Sequence, residues 1–281
     1  MADDFRGVRH MAFIEINHVN VHYECWNEFG SETVVFLHGF TGSTKTWHEQ
    51  VSLLPATYRI IAVDLVGHGK TDSPNDVAHY TMENQVELLH ELLKVLKVLP
   101  FHLVGYSMGG RVALSYAVRY PVDVVSLILE SATPGIIDEQ QRIERQKSDH
   151  ALACKIEKEG VEAFIDYWES IPLFASQKQL PVERQAKLRS ERQNQQAIGL
   201  ANSLRMMGTG IMPEVWEDVA TLPMQTTLIT GELDSKFVNI ANEMQQKNKK
   251  MVHITVPSVG HAIHVENPQK FATIVKEAIS N

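Results

Sequence analysis

Short apolar runs alternate with longer amphipathic segments along the chain, and this alternation constrains the fold more than any other feature of the sequence. Residues 33–37, 59–63 and 101–104 form largely apolar runs of strand length, as expected for strands buried on both faces. Residues 82–96 carry leucines at helical spacing. Repeated strand–helix units of this length predict an α/β fold, with a mostly parallel sheet and helices on both faces.

The alternation stops in the middle of the chain and resumes after Pro213. The interval 133–212 has no strand-like run, is rich in Gln, Glu, Lys and Arg, and has helical periodicity. We therefore expect a helical cap at 133–212, inserted into one α/β core formed by 12–132 and 213–281. Residues 1–11 are expected to be a non-native remnant or a disordered segment.

The charge balance of the chain limits its partners. With 26 basic and 34 acidic residues, the net charge is −8. An acidic surface argues against nucleic acid or an anionic membrane as the main partner. No apolar run reaches the roughly 18 residues that a membrane span needs, and the first residues lack the apolar core of a secretion signal. A cytoplasmic protein with no membrane span is therefore expected, while its oligomeric state is left open.

Cysteine and histidine usage indicates neither a disulfide framework nor a metal site. Cys25 and Cys154 are the two cysteines of the chain, and an isolated pair of this kind is typical of free thiols in a reducing compartment. The thirteen histidines show none of the spacings that are typical of metal ligands. We expect no metal and no cofactor.

The sequence G-x-S-x-G at residues 105–109 carries the strongest chemical signal. A predicted strand precedes it and a predicted helix follows, which is the context of a strained turn that exposes a nucleophilic serine. Ser107 is therefore the candidate catalytic serine. A second glycine-rich turn follows another strand at residues 38–42. The backbone N–H groups of Phe40 and Met108 are the candidate donors of an oxyanion hole.

A catalytic serine needs a base and an acid that orients the base, in the chain order serine, acid, histidine. His261 follows the last predicted strand, and Asp234 follows the strand before it, so both lie where open α/β sheets build their sites. We predict that His261 accepts the proton of the serine and that Asp234 fixes the imidazole tautomer. His264 and Glu232 are the nearby alternatives.

The arginines are concentrated near the predicted site. Arg111 lies about one helical turn after the candidate serine, where a guanidinium can reach a pocket and bind a carboxylate in bidentate fashion. Six more arginines lie in the predicted cap, although each one taken singly is more typical of a solvated helix face. They are Arg142, Arg145, Arg184, Arg189, Arg192 and Arg205.

Several strings together resemble one family. The segments 104–113, 36–40 and 231–237, with Gly260-His261, look like those of the 2-succinyl-6-hydroxy-2,4-cyclohexadiene-1-carboxylate (SHCHC) synthases of menaquinone biosynthesis. These enzymes are members of the α/β-hydrolase superfamily. The resemblance runs from about Val34 to Pro268 and includes the cap. The chain departs from the family before the cap, since Ser131-Ala132-Thr133 stands where the family has glycines.

The resemblance implies an α/β-hydrolase fold and a carbon–oxygen lyase. Its substrate would be 2-succinyl-5-enolpyruvyl-6-hydroxy-3-cyclohexene-1-carboxylate, a small anion with three carboxylates, from which proton abstraction expels pyruvate without a cofactor. The catalytic residues would be Ser107, Asp234 and His261. The substrate-binding residues implied in this way, or expected from their place in the predicted pocket, are Arg111, Arg145, Arg189, Tyr106, Trp168 and Phe174.

Two other functions fit the same motifs. A carboxylesterase or a carbon–carbon bond hydrolase would use Ser107 as a covalent nucleophile. A non-catalytic receptor on this fold would bind a small ligand under the cap, but it would not need to keep serine, histidine and aspartate together. The fold alone cannot choose between lyase and hydrolase.

Overall fold

The computed structural model describes residues 9–280 and contains one eight-stranded sheet. The strands are β1 (His10–Ile16), β2 (Val19–Trp26), β3 (Glu32–Leu37), β4 (Tyr58–Val63), β5 (Phe101–Tyr106), β6 (Val124–Glu130), β7 (Gln225–Gly231) and β8 (Val252–Val256).

The sheet order is β1-β2-β4-β3-β5-β6-β7-β8. Strands β1 and β2 form an antiparallel hairpin, β2 runs antiparallel to β4, and the pairs from β4 to β8 are parallel. The predicted α/β fold with a mostly parallel sheet is therefore confirmed.

The expected beginning of the core at residue 12 is wrong. His10 and Met11 already lie in β1, opposite Cys25 and Glu24 of β2, so hairpin pairing extends the ordered chain toward the N-terminus. The rest of the segment predicted to be a remnant or disordered, residues 1–8, lies outside the described residues.

Ten α-helices occur in the described part of the chain. They are α1 (His48–Leu53), α2 (Met82–Val95), α3 (Met108–Arg119), α4 (Glu139–Ser170), α5 (Val182–Gln193), α6 (Ala197–Met207), α7 (Trp216–Val219), α8 (Ser235–Lys247), α9 (Ile263–Glu266) and α10 (Pro268–Ser280). The sequence did not predict α7 and α9, because four residues are too few to show helical periodicity.

Alternate residues of the central strands enter two separate hydrophobic cores. On β3, Val35 and Leu37 pack into the core that holds α2 and α3, whereas Val34 and Phe36 pack into the core that holds α10. Successive side chains of a strand point to opposite faces, so both faces of this sheet are covered. This burial explains why the central strands are continuously apolar.

Helices α4, α5 and α6 lie between β6 and β7, in the interval predicted to be a cap. Helix α4 is broken at Gly160, whose φ of 83° and ψ of 171° are not helical. The first and third of these helices share a small apolar core, which consists of Ala153, Ile156, Phe164, Ile165, Leu200, Ala201 and Leu204. The division of the chain into core and cap stays our proposal. Within residues 9–280, no helix combines the length and the apolar character that a bilayer crossing requires.

The packing of α10 on the sheet leads to a prediction of stability. The Phe271 ring is fully buried and stacks on Trp47 with ring centroids 5.9 Å apart. Phe271→Ala should lower the free energy of unfolding by about 3–5 kcal/mol, because it removes apolar contacts and leaves a cavity. Urea unfolding followed by circular dichroism measures this loss. The control is Phe29→Ala, since Phe29 is 97% exposed; a similar loss in both variants would contradict the assignment.

Candidate active site

The backbone at Ser107 has a rare conformation, with φ of 49° and ψ of −103°. The glycines around it are required by space. A Cβ at Gly105 would lie 2.5 Å from the carbonyl oxygen of Gly109, and a Cβ at Gly109 would lie 2.3 Å from that of Leu37. The turn between β5 and α3 therefore packs backbone against backbone, and it presents Ser107 at the N-terminus of α3 as the sequence motif predicted.

Three side chains meet beyond the carboxyl ends of β5, β7 and β8. His261 Nε2 lies 3.0 Å from Ser107 Oγ, and His261 Nδ1 lies 2.6 Å from Asp234 Oδ2. The carboxylate can only accept, so Nδ1 carries the proton and Nε2 is left to accept from the serine hydroxyl. His261 and Asp234 are buried, at 2% and 8% exposure. The residues predicted to act together are thus in hydrogen-bonding register.

The two alternatives have other partners. The His264 ring contacts the buried carboxylate of Glu130 through Nδ1, at 2.8 Å, and the backbone N–H of His264 also donates to Glu130. Glu232 accepts a hydrogen bond from the backbone N–H of Ser258 at 2.9 Å. Neither residue joins the cluster around Ser107.

The residues that carry the candidate oxyanion donors line the same cavity as Ser107. Met108 is the first residue of α3, and the first N–H groups of a helix have no acceptor within the helix. Phe40 lies in the turn that the hydrogen bond from Gly42 N–H to the Gly39 carbonyl closes at 2.9 Å. Phe40 and Met108 line the same cavity as Ser107. Both residues therefore border the space in which an oxyanion would develop.

The central cavity, as we call the space above Ser107, measures about 150 Å³. Helix α4 and the 3₁₀ helix Pro172–Gln179 cover it. The predicted residues Tyr106, Trp168 and Phe174 all line it, and the indole of Trp168 contacts the ring of Phe174 with centroids 5.5 Å apart. The Nε1–H of Trp168 is buried and has no acceptor among residues 9–280.

Arg111 lines the central cavity, as predicted. Its guanidinium donates to the carbonyl of Met207 and lies 3.4 Å from the sulfur of Met212. Burial lowers the pKa of Arg111 to about 10, and the charge of Arg145 adds to the effect. The group stays charged at neutral pH in a place where its charge is poorly solvated. An anionic ligand would relieve this cost.

Arg145 also lines the central cavity, as predicted. Its Nε donates to both carboxylate oxygens of Asp149, at 2.8 and 2.9 Å. Burial raises the pKa of Asp149 in spite of its arginine partner. The ion pair fixes the orientation of the Arg145 side chain.

Lys236 is a third cation in the lining, and the sequence analysis gave it no role. It stands two residues after Asp234 at the start of α8. Burial lowers the pKa of its ammonium group, and the nearby charge of Arg145 lowers it further. The string that carried the family resemblance included Lys236, but a lysine in the first turn of a helix reads as a surface residue.

The structure does not bring Arg189 into the central cavity. Its guanidinium forms ion pairs with Glu169 and Asp166 on α4, and it is absent from the lining of the central cavity. Helix α5 turns this side chain toward the acidic face of α4. Sequence reasoning placed Arg189 in the site because its position matched the family, without knowing the rotation of the helix.

Two hydroxyl groups in the central cavity were also missed. Ser131 and Thr209 line it, and both side-chain oxygens are buried without a partner among the described residues. Ser131 has a φ of 48°, a conformation that favours glycine, which is the residue expected here from the family. The departure seen in the sequence thus adds a polar group to the cavity wall.

Across residues 9–280, no group of three or more His, Cys, Asp or Glu side chains could hold a metal ion. Cys25 is buried, Cys154 is exposed, and the two do not form a disulfide.

Comparison with known proteins agrees with the fold and the motifs. Residues 32–268 match the α/β-hydrolase fold family. The chain belongs to this family. Individual relatives indicate a more specific family within this fold. A protein of Enterobacter sp. (strain 638), named SHCHC synthase, is 32% identical over 250 residues, which cover 89% of this chain and 92% of that protein.

Two other relatives are more similar. A Bacillus subtilis (strain 168) protein, which carries the name SHCHC synthase provisionally, is 44% identical over 251 residues, covering 89% of this chain and 91% of that protein. A solved structure of MenH from S. aureus has 36% sequence identity and a TM-score of 0.87, and the match covers 96% of this chain and 98% of that one. This chain is a member of the SHCHC synthase family.

The hydrogen bond between His261 and Asp234 leads to a spectroscopic prediction. A proton held between Nδ1 and a carboxylate oxygen at 2.6 Å should give a strongly downfield resonance in proton NMR spectra in water. Asp234→Asn should remove this resonance, because a neutral amide replaces the charged acceptor. Glu232→Gln is the matched control and should retain it. Loss in the control, or persistence in Asp234→Asn, would assign the proton elsewhere.

Proposed function

We propose that this protein is an SHCHC synthase, which eliminates pyruvate from 2-succinyl-5-enolpyruvyl-6-hydroxy-3-cyclohexene-1-carboxylate in menaquinone biosynthesis. The observation that carries the proposal is the meeting of a hydrogen-bonded Ser107–His261 pair with Arg111, Arg145 and Lys236 in one cavity. The Ser107–His261 pair supplies a base, and the three cations suit a substrate with three carboxylates. The relatives named above support the assignment.

The reaction begins with a proton transfer. His261 takes the hydroxyl proton of Ser107, and the resulting alkoxide abstracts a proton from carbon next to a carbonyl of the substrate. The electron pair moves into the ring and breaks the carbon–oxygen bond to the enolpyruvyl group. The leaving enolate takes a proton from protonated His261 and becomes pyruvate, while Ser107 keeps the proton from carbon, so both groups return to their starting state, no water is consumed and no acyl-enzyme forms.

The surrounding groups stabilise the charges of this step. Asp234 holds His261 in the required tautomer and favours its protonated form. The N–H groups of Phe40 and Met108 would bind the oxygen on which negative charge develops. Such fixed donors act strongly in a site from which water is excluded.

The cations of the central cavity favour the lyase over a hydrolase of neutral esters. Three positive side chains in one lining are costly unless an anion binds among them, because burial removes solvation from Arg111 and Lys236 and the charge of Arg145 repels both. A neutral ester would not offset this cost. The proposed substrate, a small molecule with three carboxylates, would do so. No metal or cofactor is needed for the chemistry.

Replacement of the serine tests its role. Ser107→Ala should abolish pyruvate release, because it removes the group that takes the proton from carbon. The measurement is release of pyruvate from the pathway intermediate, prepared fresh and detected with a coupled dehydrogenase. Binding of the intermediate should persist, since the cations remain. Turnover close to that of the wild type would remove Ser107 from the mechanism.

Arginine substitution tests the binding of carboxylates. Arg111→Ala should lower kcat/KM for the succinyl substrate at least about tenfold, as expected from the loss of one charge-assisted hydrogen bond. Hydrolysis of a small neutral ester, if detectable, should be spared. Arg189→Ala is the matched control, because its guanidinium is paired with Glu169 and Asp166 away from the cavity. Equal losses on both substrates would argue against a carboxylate-binding role for Arg111.

A further inference from the structure

A second cavity adjoins the central cavity, and no step of the proposed reaction uses it. We call it the side cavity. It measures about 90 Å³ and lies between α5 and the segment from Gly39 to Glu49. The rings of Phe40, Tyr106 and Phe174 border both cavities, so three aromatic side chains stand between the two spaces.

The lining of the side cavity is more positive than the protein as a whole. Four basic and two acidic side chains contribute to it: Lys45, Arg184, Lys187, Arg192, Glu49 and Glu191. The chain itself has a net charge of −8. This excess of positive charge is therefore local, and it indicates an anionic ligand.

Ion pairing leaves part of this positive charge free. Arg184 is paired with Glu49. Within residues 9–280, neither Lys45 nor Lys187 forms a salt bridge, and both are exposed side chains. Burial raises the pKa of Glu191, and the charges of Lys187 and Lys45 oppose this rise. The raised pKa makes the Glu191 carboxylate less able to neutralise the two lysines.

Gln177 supplies an independent observation. The side chain is 6% exposed, lines the side cavity, and has no hydrogen-bond partner for its Nε2 among the described residues. Its orientation is fixed, because Oε1 accepts a hydrogen bond of 2.8 Å from Arg192, and a guanidinium can only donate. A buried amide donor without a partner is costly unless something binds to it.

Arg192 holds this donor in place. Its Nη1 contacts Glu169 at 3.0 Å, and its guanidinium lies over the Phe174 ring at 5.2 Å. The amide of Gln177 is therefore supported by a rigid neighbour. A fixed amide group in the same lining as two lysines without ion pairs suits a carboxylate.

We propose that the side cavity binds a small organic carboxylate. Its volume suits a molecule of a few non-hydrogen atoms. If the proposed function holds, on which this step rests, the candidates are the released pyruvate and the succinyl arm of the substrate. Both present the same chemistry to Gln177 and Lys187, a carboxylate that accepts hydrogen bonds and carries one negative charge.

Direct binding tests the site without any turnover. Carbon-13-labelled pyruvate is titrated into the full-length protein and followed by NMR line broadening. Gln177→Glu should weaken binding at least about tenfold, because a carboxylate replaces the donor while the acceptor for Arg192 remains. Lys187→Ala, an exposed position with no risk to the core, should weaken it in the same direction. Gln269→Glu adds the same charge at an exposed position on α10 and should bind like the wild type.

The results separate this site from the central cavity. If the wild type binds neither pyruvate nor succinate, or if both Gln177→Glu and Lys187→Ala bind these carboxylates unchanged, the proposal is overturned. A loss confined to Arg111→Ala also overturns it, since pyruvate would then sit in the central cavity. Gln177-dependent binding by a protein that releases no pyruvate from the substrate would leave the carboxylate site intact and refute the proposed function.

Steady-state kinetics distinguish the two carboxylates. If the site holds released pyruvate, Gln177→Glu should weaken product inhibition by pyruvate at least about tenfold with an unchanged KM for the substrate. If it holds the succinyl arm, the same variant should raise KM for the substrate, and succinate should bind to the wild type in a Gln177-dependent way. Either result supports a carboxylate site; no change in any of these constants contradicts it.

Discussion

The close packing of backbone on backbone around Ser107 is the constraint on which the rest of the site depends. Only glycine fits at positions 105 and 109, where a Cβ would lie 2.5 Å or less from a carbonyl oxygen. The turn stores strain, with a cost of the order of 1–3 kcal/mol for such a conformation. In return, the serine hydroxyl, the first N–H of α3 and the imidazole of His261 meet at one edge of the sheet.

The electrostatics of the central cavity decide which chemistry this geometry serves. The same serine, histidine and aspartate occur in hydrolases, so the hydrogen bonds alone favour no single reaction. Arg111, Arg145 and Lys236 add a demand for negative charge in an otherwise acidic protein. A site that selects a polyanion through its cations can leave the enolate chemistry to the serine and its oxyanion donors.

Sequence reasoning succeeded where position along a strand fixes position in space. Ser107, Asp234 and His261 each follow a strand of a parallel sheet, and Arg111 lies one helical turn beyond the serine. It did not give the rotation of the cap helices, because that rotation depends on tertiary contacts. Arg189, for example, faces acidic residues of α4. Lys236, Glu130 paired with His264, and the side cavity could not be predicted, because they depend on burial between segments distant in the chain.

The cations that line the cavity above Ser107 lower the stability of the ligand-free protein and raise its affinity for a polyanion. In the empty protein, Arg145 repels both Arg111 and Lys236, and this repulsion disfavours the folded state until a ligand neutralises it. Part of the binding energy of a polyanion is therefore the release of a penalty that folding has already incurred. Replacement of these cations by neutral residues should therefore stabilise the ligand-free protein, and the protein that keeps them has a lower free energy of unfolding when its site is empty.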